Sequence, residues 1–138
     1  MPPVVRVKKT QLNYFREQAR STPKEIQALL VGVVVNPDLI VIHRLVYPKK
    51  YAEQTTNCVA WFASEYDEVA AEAAKKNLRI VGTIHSHPDW IPILSPQDHK
   101  GHITEGYRIS GICGVENNKT RVVFWVAESS LSAKIQYV

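Results

Sequence analysis

The sequence predicts an α+β fold, in which a mostly antiparallel β-sheet is flanked by helices. Short apolar runs rich in β-branched residues recur along the chain, and turn sequences between some of them predict antiparallel hairpins. Segments with helical spacing of apolar residues lie between these runs, without regular β-α-β alternation. The length of 138 residues suits one core, so we expect a single domain over residues 1–138.

The first part of the chain predicts a strand, a helix and a hairpin. Residues 4–7 read as a short strand, and Thr10 can cap a helix over about 11–20. Residues 25–35 and 39–47 predict two antiparallel strands, because a turn with the sequence Asn-Pro-Asp separates them. The apolar residues at helical spacing are Leu12, Phe15 and Ala19.

The middle of the chain predicts a third strand and a second helix. Residues 57–62 have the apolar and aromatic composition of a strand. Ser64 followed by Asp67 resembles a capping box, which predicts a helix through about Lys76 that Asn77 ends. The inward-facing residues of this helix are Val69, Ala73 and Leu78.

The last part of the chain predicts four more strands. Residues 78–87 read as a buried strand, in which Gly82 indicates close approach of another backbone or side chain. Residues 107–115 and 120–127 predict a hairpin around the turn Glu-Asn-Asn-Lys, and residues 133–138 predict a last strand.

Composition and charge narrow the class of protein. Hydrophobic residues make up 45% and charged residues 22%, as in globular proteins. The net charge is +4, but the basic residues are scattered, so we expect no nucleic-acid partner. The longest apolar run, residues 28–35, is too short to span a bilayer, and the N-terminus has no signal-peptide core. We therefore expect a cytoplasmic protein with no membrane association.

The two cysteines are expected to be free and buried. Cys58 and Cys113 lie far apart, and a disulfide is unusual in a reducing compartment. The chain has no Cys-x-x-Cys pair, which rules out a cysteine-rich zinc site.

Polar side chains cluster where the strand over residues 78–87 ends. His85 and His87 lie on one face of that strand, while Ser86 points to the other, because side chains alternate. Two imidazoles in this arrangement can hold one metal ion, although a pair of surface histidines has the same spacing.

Ser95 and Asp98 follow the histidines at short spacing. Ser-Pro-x-Asp is a favourable helix start, with Ser95 as the N-cap and Asp98 in the first turn. Capping and metal ligation are compatible, because a carboxylate has several lone pairs.

These residues together resemble the signature of the JAMM/MPN+ zinc metalloproteases. His85-x-His87 is followed by seven residues, then Ser95, two residues and Asp98, and a proline follows the second histidine as in that family. The family also has a glutamate that opens an upstream apolar strand ending in glycine. Glu25 in "PKEIQALLVG" matches it, although the same residue could otherwise be an exposed charge at a strand end.

The resemblance runs from about residue 21 to 127 and implies an MPN/JAB fold, with the zinc hydrolase arrangement of cytidine deaminases. It implies one Zn²⁺ per chain with the fourth tetrahedral position open to water, whose pKa the ion lowers to about 7. Glu25 is then the general base, and Ser95 donates a hydrogen bond to the oxyanion. The implied zinc ligands are His85, His87 and Asp98.

Other histidines and a rival carboxylate are expected to lie outside the zinc site. His43 falls within a strand, and Asp89 lies in a loop that suits ligation poorly. His99 and His102 are expected to be structural or surface residues, or alternatively to contact the zinc ligands.

The resemblance implies a ubiquitin-like substrate. Members of the family cleave isopeptide or peptide bonds after the C-terminus of ubiquitin or its relatives, and larger members carry insertions that grip the substrate. The segments 47–64 and 99–107 are short here, so the chain resembles a minimal prokaryotic or archaeal member acting on a ubiquitin-like or sulfur-carrier protein. Two alternatives stay open: a phage-tail or cell-wall peptidase, and a non-catalytic MPN scaffold. The sequence does not determine the oligomeric state.

The substrate is expected to reach the site as an extended peptide. Such peptides commonly add as a strand to a sheet edge, for which residues 48–57 are the candidate. Trp90 and Ile91 lie just beyond His87. They either contact the substrate on the leaving-group side of the cleft or pack beneath the loop as core.

Overall fold

The structure, a computed structural model of the chain, describes residues 2–88, 106–126 and 131–138. The predicted helix that begins at Ser95 lies outside these residues. In the described ranges, none of the helices is long and apolar enough to cross a membrane. The helices are α1 (Lys9–Arg20) and α2 (Ala63–Lys75). The strands are β1 (Val4–Val7), β2 (Gln27–Asn36), β3 (Leu39–Val46), β4 (Glu53–Gln54), β5 (Val59–Ala60), β6 (Arg79–His87), β7 (Ile109–Glu116), β8 (Lys119–Val126) and β9 (Lys134–Tyr137).

Seven of the strands form one sheet, in the order β8-β7-β6-β2-β3-β1-β9. The pairs β7–β8, β2–β6 and β2–β3 are antiparallel, and they contain most of the paired residues. The pairs β6–β7, β1–β3 and β1–β9 are parallel. The predicted α+β class, with helices flanking a mixed sheet, is confirmed.

The helix α1 packs on one face of this sheet and supplies its main core. Leu12, Phe15 and Ala19 are buried there, as their spacing predicts, together with apolar residues of six strands. The helix α2 lies against β6 with Ala73 buried, and Ala73 is not part of the core around α1. Residues of β2 and β6 that point away from α1, such as Leu29 and Thr83, are also buried. The central strands are therefore covered on both faces.

The predicted helix caps were wrong. α1 begins at Lys9 and α2 at Ala63, and the residues in the N-cap positions make no side-chain cap hydrogen bond. Thr10 and Ser64 each lie one residue inside their helix instead. An N-cap contributes only about 1 kcal/mol, so burial of the apolar face of a helix can move its start by a residue.

The end of α2 agrees with the prediction at Asn77. This residue has a φ of 58°, the left-handed conformation that ends many helices. Its N–H donates to the carbonyl of Ala74, and the N–H of Leu78 donates to that of Ala73. This pair of bonds is the Schellman motif, which satisfies carbonyls at the helix end.

The strand β6 passes very close to β7 at Gly82, as predicted. A Cβ atom at Gly82 would collide with the carbonyl oxygen of Ile109 and lie 2.9 Å from its carbonyl carbon. Further along, Asn117 and Asn118 have φ values of 51° and 65°. These angles suit the two-residue turn of the predicted β7–β8 hairpin.

Of two other predicted strands, one is confirmed in part and the other in full. The prediction over residues 57–62 was correct only for Val59–Ala60, which pairs with Glu53–Gln54 in a separate two-stranded sheet. The predicted C-terminal strand is confirmed as β9, which pairs with β1. Just before β9, Ser132 bridges to Trp125 of β8, so the C-terminal segment contacts both edges of the large sheet.

Candidate functional site

The candidate site lies where β2 begins and β6 ends. Gln27 pairs with His85 in antiparallel register. One residue earlier, the N–H of Ser86 donates to the carbonyl of Ile26 over 2.9 Å, so the register continues beyond the start of β2. The same register places Glu25 opposite His87. Because side chains alternate along strands, Glu25, His85 and His87 share one face of the sheet.

The two histidines converge through their Nε2 atoms. These atoms are 3.0 Å apart, and the ring centroids are 4.8 Å apart. His85 is only 5% exposed. A tetrahedral zinc ion with Zn–N bonds of about 2.0–2.1 Å needs ligand nitrogens about 3.3 Å apart. The observed separation differs from this value by a few tenths of an ångström, so the two imidazoles fit a shared metal ion.

Glu25 is buried, and its main-chain N–H and carbonyl both have hydrogen-bond partners. Its residue exposure is 9%. Its N–H donates to the carbonyl of Thr55 over 2.7 Å, and its own carbonyl accepts from Nε2 of Gln54 over 3.1 Å. The alternative that Glu25 is an exposed charge at a strand end was wrong, because the residue is buried.

Ser86 holds the two strands together from the opposite face. It lies between the histidines and is 1% exposed. Its Oγ accepts the N–H of Ile26 over 2.9 Å, and its N–H bonds the Ile26 carbonyl. The prediction that Ser86 points away from the histidines agrees with its pairing to Cys113, a member of the core around α1. No pattern in the sequence indicates this role.

Tyr51 and Gln54 also bond the main chain of the candidate site, and no pattern in the sequence indicates these contacts. The Tyr51 hydroxyl accepts the N–H of Gln27 over 3.0 Å and donates to the carbonyl of Gln27 over 2.9 Å. Side-chain bonds to a distant main chain leave no periodic pattern in a sequence. One residue does indicate that the start of β2 needs other partners. Pro48 has no N–H to donate to a neighbouring strand, so it predicts that β3 ends before it can pair with the start of β2.

Burial and acidic neighbours raise the pKa values of two groups near Glu25. Burial raises the pKa of the Cys58 thiol, and Glu53 and Glu25 raise it further. Burial also raises the pKa of the Tyr51 hydroxyl, while its bond to the Gln27 main chain opposes that shift. Both cysteines are free thiols, as expected, and Cys113 is buried as expected, but Cys58 is only half-buried. Neither thiol is ionised at neutral pH.

Several predicted site residues lie outside the described residues and stay predictions. Among residues 2–88, 106–126 and 131–138, no group of three His, Cys, Asp or Glu side chains is arranged to hold a metal ion. His43 is exposed on β3, as expected for a surface residue. The predicted residues outside the described ranges are Asp89, Trp90, Ile91, Ser95, Asp98, His99 and His102.

Comparisons with known proteins agree with the fold and identify the family. Protein DSY2949 from Desulfitobacterium hafniense, known from a solution structure, is similar over 98% of this chain and 92% of its own, with a TM-score of 0.72 and 18% identity. At that identity the likeness concerns the fold alone. A search of curated proteins found no match. The family described as prokaryotic homologs of the JAB domain matches residues 8–128, and the chain belongs to this family.

Proposed function

We propose that the chain is a zinc-dependent isopeptidase or peptidase that cleaves after the C-terminus of a ubiquitin-like or sulfur-carrier protein. One observation carries the proposal: two imidazole Nε2 atoms lie 3.0 Å apart, on the same face as a buried glutamate. Two neutral imidazoles can share a hydrogen bond at this distance, and the same convergence suits two ligands of one metal ion. The JAB family includes metalloproteases, which supports the same assignment.

The metal would be held by His85, His87 and Asp98, the set that the JAMM/MPN+ resemblance implies. Two neutral imidazoles and one carboxylate are a suitable donor set for zinc with an open position. When bound, the ion supplies Lewis acidity, which polarises a carbonyl and lowers the pKa of water to about 7. The low exposure of His85 limits competition from bulk water at the ligand atoms.

Glu25 and Ser95 are assigned the proton transfer and the polar contact to substrate. A carboxylate oxygen of Glu25 accepts the proton of the attacking water and then delivers it to the departing amine. Its fixed main chain keeps the carboxylate on the face that it shares with the histidines. The hydroxyl of Ser95 donates a hydrogen bond to the scissile carbonyl oxygen, where negative charge develops.

A fluorogenic fusion of a ubiquitin-like protein tests this proposal. Wild-type protein loaded with zinc should release the fluorophore, and Glu25→Gln should lower the rate by about 10²–10⁴ because an amide cannot accept the proton. Glu72→Gln is the matched control, since Glu72 is exposed and pairs only with Lys75 on the surface of α2 among the described residues. Its rate should equal that of the wild type.

Two results would contradict the proposal. Turnover by Glu25→Gln at the wild-type rate would mean that another group acts as the base. A zinc-loaded wild type that cleaves none of a panel of ubiquitin-like fusions would favour the scaffold alternative.

A further inference from the structure

The start of β2 has an unusual set of main-chain partners. β3 runs beside β2 only as far as Val46, which pairs with Leu29. The residues next in register on that side would be Pro48, opposite Gln27, and Lys50, opposite Glu25. The chain departs from the sheet here, because proline has no N–H to continue the ladder. Without β3, the main-chain groups of Gln27 and Glu25 on this side need other partners.

The segment 51–55 supplies those partners after the chain turns back. The Tyr51 hydroxyl bonds both the N–H and the carbonyl of Gln27, at 3.0 and 2.9 Å. One phenol oxygen thus replaces both main-chain partners that a neighbouring strand would offer. Two residues do the same for Glu25. The side-chain amide of Gln54 donates to the Glu25 carbonyl, and the carbonyl of Thr55 accepts the Glu25 N–H.

The opposite side of the same three residues is fixed by β6. Ile26 exchanges two hydrogen bonds with Ser86, both of 2.9 Å. All six main-chain N–H and carbonyl groups from Glu25 to Gln27 therefore have partners. Because a strand has only two soft dihedrals per residue, this leaves little freedom for the Cα–Cβ direction of Glu25.

The hairpin that carries these partners has its own internal bonds. Ala52 donates to the Ala60 carbonyl over 2.9 Å, and Thr55 donates to the Cys58 carbonyl over 2.8 Å. The turn over residues 55–58 is further tied by the Thr55 hydroxyl, which donates to Asn57 Oδ1 over 3.0 Å. The hairpin is thus an ordered support for Glu25.

We propose that Tyr51 and Gln54 are positioning residues: Tyr51 holds the main chain of Gln27 and Gln54 that of Glu25, and together they keep the Glu25 carboxylate in register with the two histidines. This inference rests on the proposed role of Glu25 as the general base. Neither residue touches the reacting atoms in this account, and each acts only through the strand start at 25–27. A hydroxyl and an amide on the hairpin thereby determine how well the base is placed.

Tyr51→Phe is the sharpest test, because it removes one oxygen and keeps the ring. A displacement of about 1 Å at a reacting group can cost about 10²-fold in rate. We expect Tyr51→Phe to lower kcat by about 10- to 100-fold, with KM changed less than about threefold and zinc content unchanged. Gln54→Ala should lower kcat less, since the carbonyl of Thr55 still holds Glu25.

Tyr47→Phe is the matched control. Tyr47 is also partly buried, and it packs against Phe15 with ring centroids 6.3 Å apart. Within the described residues its buried hydroxyl has no hydrogen-bond partner. Removal of this hydroxyl should leave kcat at the wild-type value. An equal loss of kcat in Tyr47→Phe and Tyr51→Phe would overturn the proposal.

A double mutant separates positioning from a general loss of structure. If Tyr51 acts only through Glu25, Tyr51→Phe should change the residual rate of Glu25→Gln by less than about twofold. A full 10- to 100-fold further loss in the double mutant would show that Tyr51 acts by another route, and the proposal would fail.

Amide hydrogen exchange tests the same inference without any enzymatic activity. The N–H groups of Glu25 and Gln27 should exchange about tenfold faster or more in Tyr51→Phe, and at the wild-type rate in Tyr47→Phe. Unchanged exchange in Tyr51→Phe would refute the positioning role. If the wild type cleaves no substrate but these amides respond, the proposed function fails while the support of Glu25 by the hairpin stands.

Discussion

Ser86 makes a hydrogen bond whose loss has a calculable cost. Its Oγ lies 2.9 Å from the N–H of Ile26, and the two residues are 1% and 7% exposed. Ser86→Ala keeps the Cβ and removes only the oxygen, so it adds no steric conflict. The change leaves a buried N–H without this acceptor, which costs about 1–3 kcal/mol of unfolding free energy.

This cost should be visible in both chemical and thermal unfolding. For a domain of this size, 1 kcal/mol corresponds to about 3–5 °C in melting temperature, so we expect a decrease of about 3–15 °C. The urea midpoint should fall with an unchanged m-value, since the folded surface stays the same. Because Ile26 is the neighbour of Glu25, kcat should fall as well, at constant zinc content.

Ser64→Ala is the control for this experiment. Ser64 lies in the first turn of α2 and is exposed, and that helix has no side-chain cap bond. Alanine is the better helix former, so this variant should be as stable as the wild type or up to about 0.5 kcal/mol more stable. A Ser86→Ala protein within about 0.5 kcal/mol of the wild type would show that the bond to Ile26 does not stabilise the fold. A Ser64→Ala protein about 1 kcal/mol less stable would show that Ser64 does cap α2.

Two further predictions concern packing and pH. Gly82→Ala should lower the free energy of unfolding by about 3 kcal/mol or more, because the new Cβ meets the backbone of Ile109. Gly106→Ala is the control: its Cβ has open space, and only the φ of +68° should cost about 1 kcal/mol. Equal urea midpoints for the two variants would contradict this prediction. Burial raises the pKa of Cys113 from 9.0 to about 11, against a smaller lowering by nearby arginines. The unfolded thiol therefore ionises first, and stability should fall by about 2 kcal/mol between pH 9 and 11. Cys113→Ala should show a shallower decline over that range, and an unchanged slope would show that this thiol does not titrate as described.

Much of the sheet was predictable because its signals are local. Runs of β-branched residues and the turn sequences act on their immediate neighbours, and the structure confirms most of the elements that they predict. Gly82 indicates a close approach because it lacks a side chain, although the sequence does not say that the neighbour is Ile109. The helix starts at Thr10 and Ser64 failed because a cap competes with packing of the whole helix. The strand predicted over residues 57–62 is only Val59–Ala60 in the structure, and its partner Glu53–Gln54 was not predicted because two polar residues show no strand pattern.

In the candidate site, too, the sequence indicated some residues and not others. Alternation along one strand placed His85 and His87 together, and the family resemblance pointed to Glu25. The support for Glu25 was not predictable, since Tyr51 reaches Gln27 across 24 residues through a side chain. Such contacts follow from the tertiary fold and have no spacing rule.

The zinc content of the purified protein is the most direct test of the proposed metal site. The wild type and Glu25→Gln should each retain about one Zn²⁺ per chain after dialysis, because Glu25 is assigned no ligand role. His85→Ala and His87→Ala should each lose most of the metal, while His43→Ala, which changes an exposed residue of β3, should keep it. The proposed zinc site would be contradicted by a wild type that holds no zinc after loading. It would also be contradicted if a protein with both His85→Ala and His87→Ala held as much zinc as the wild type.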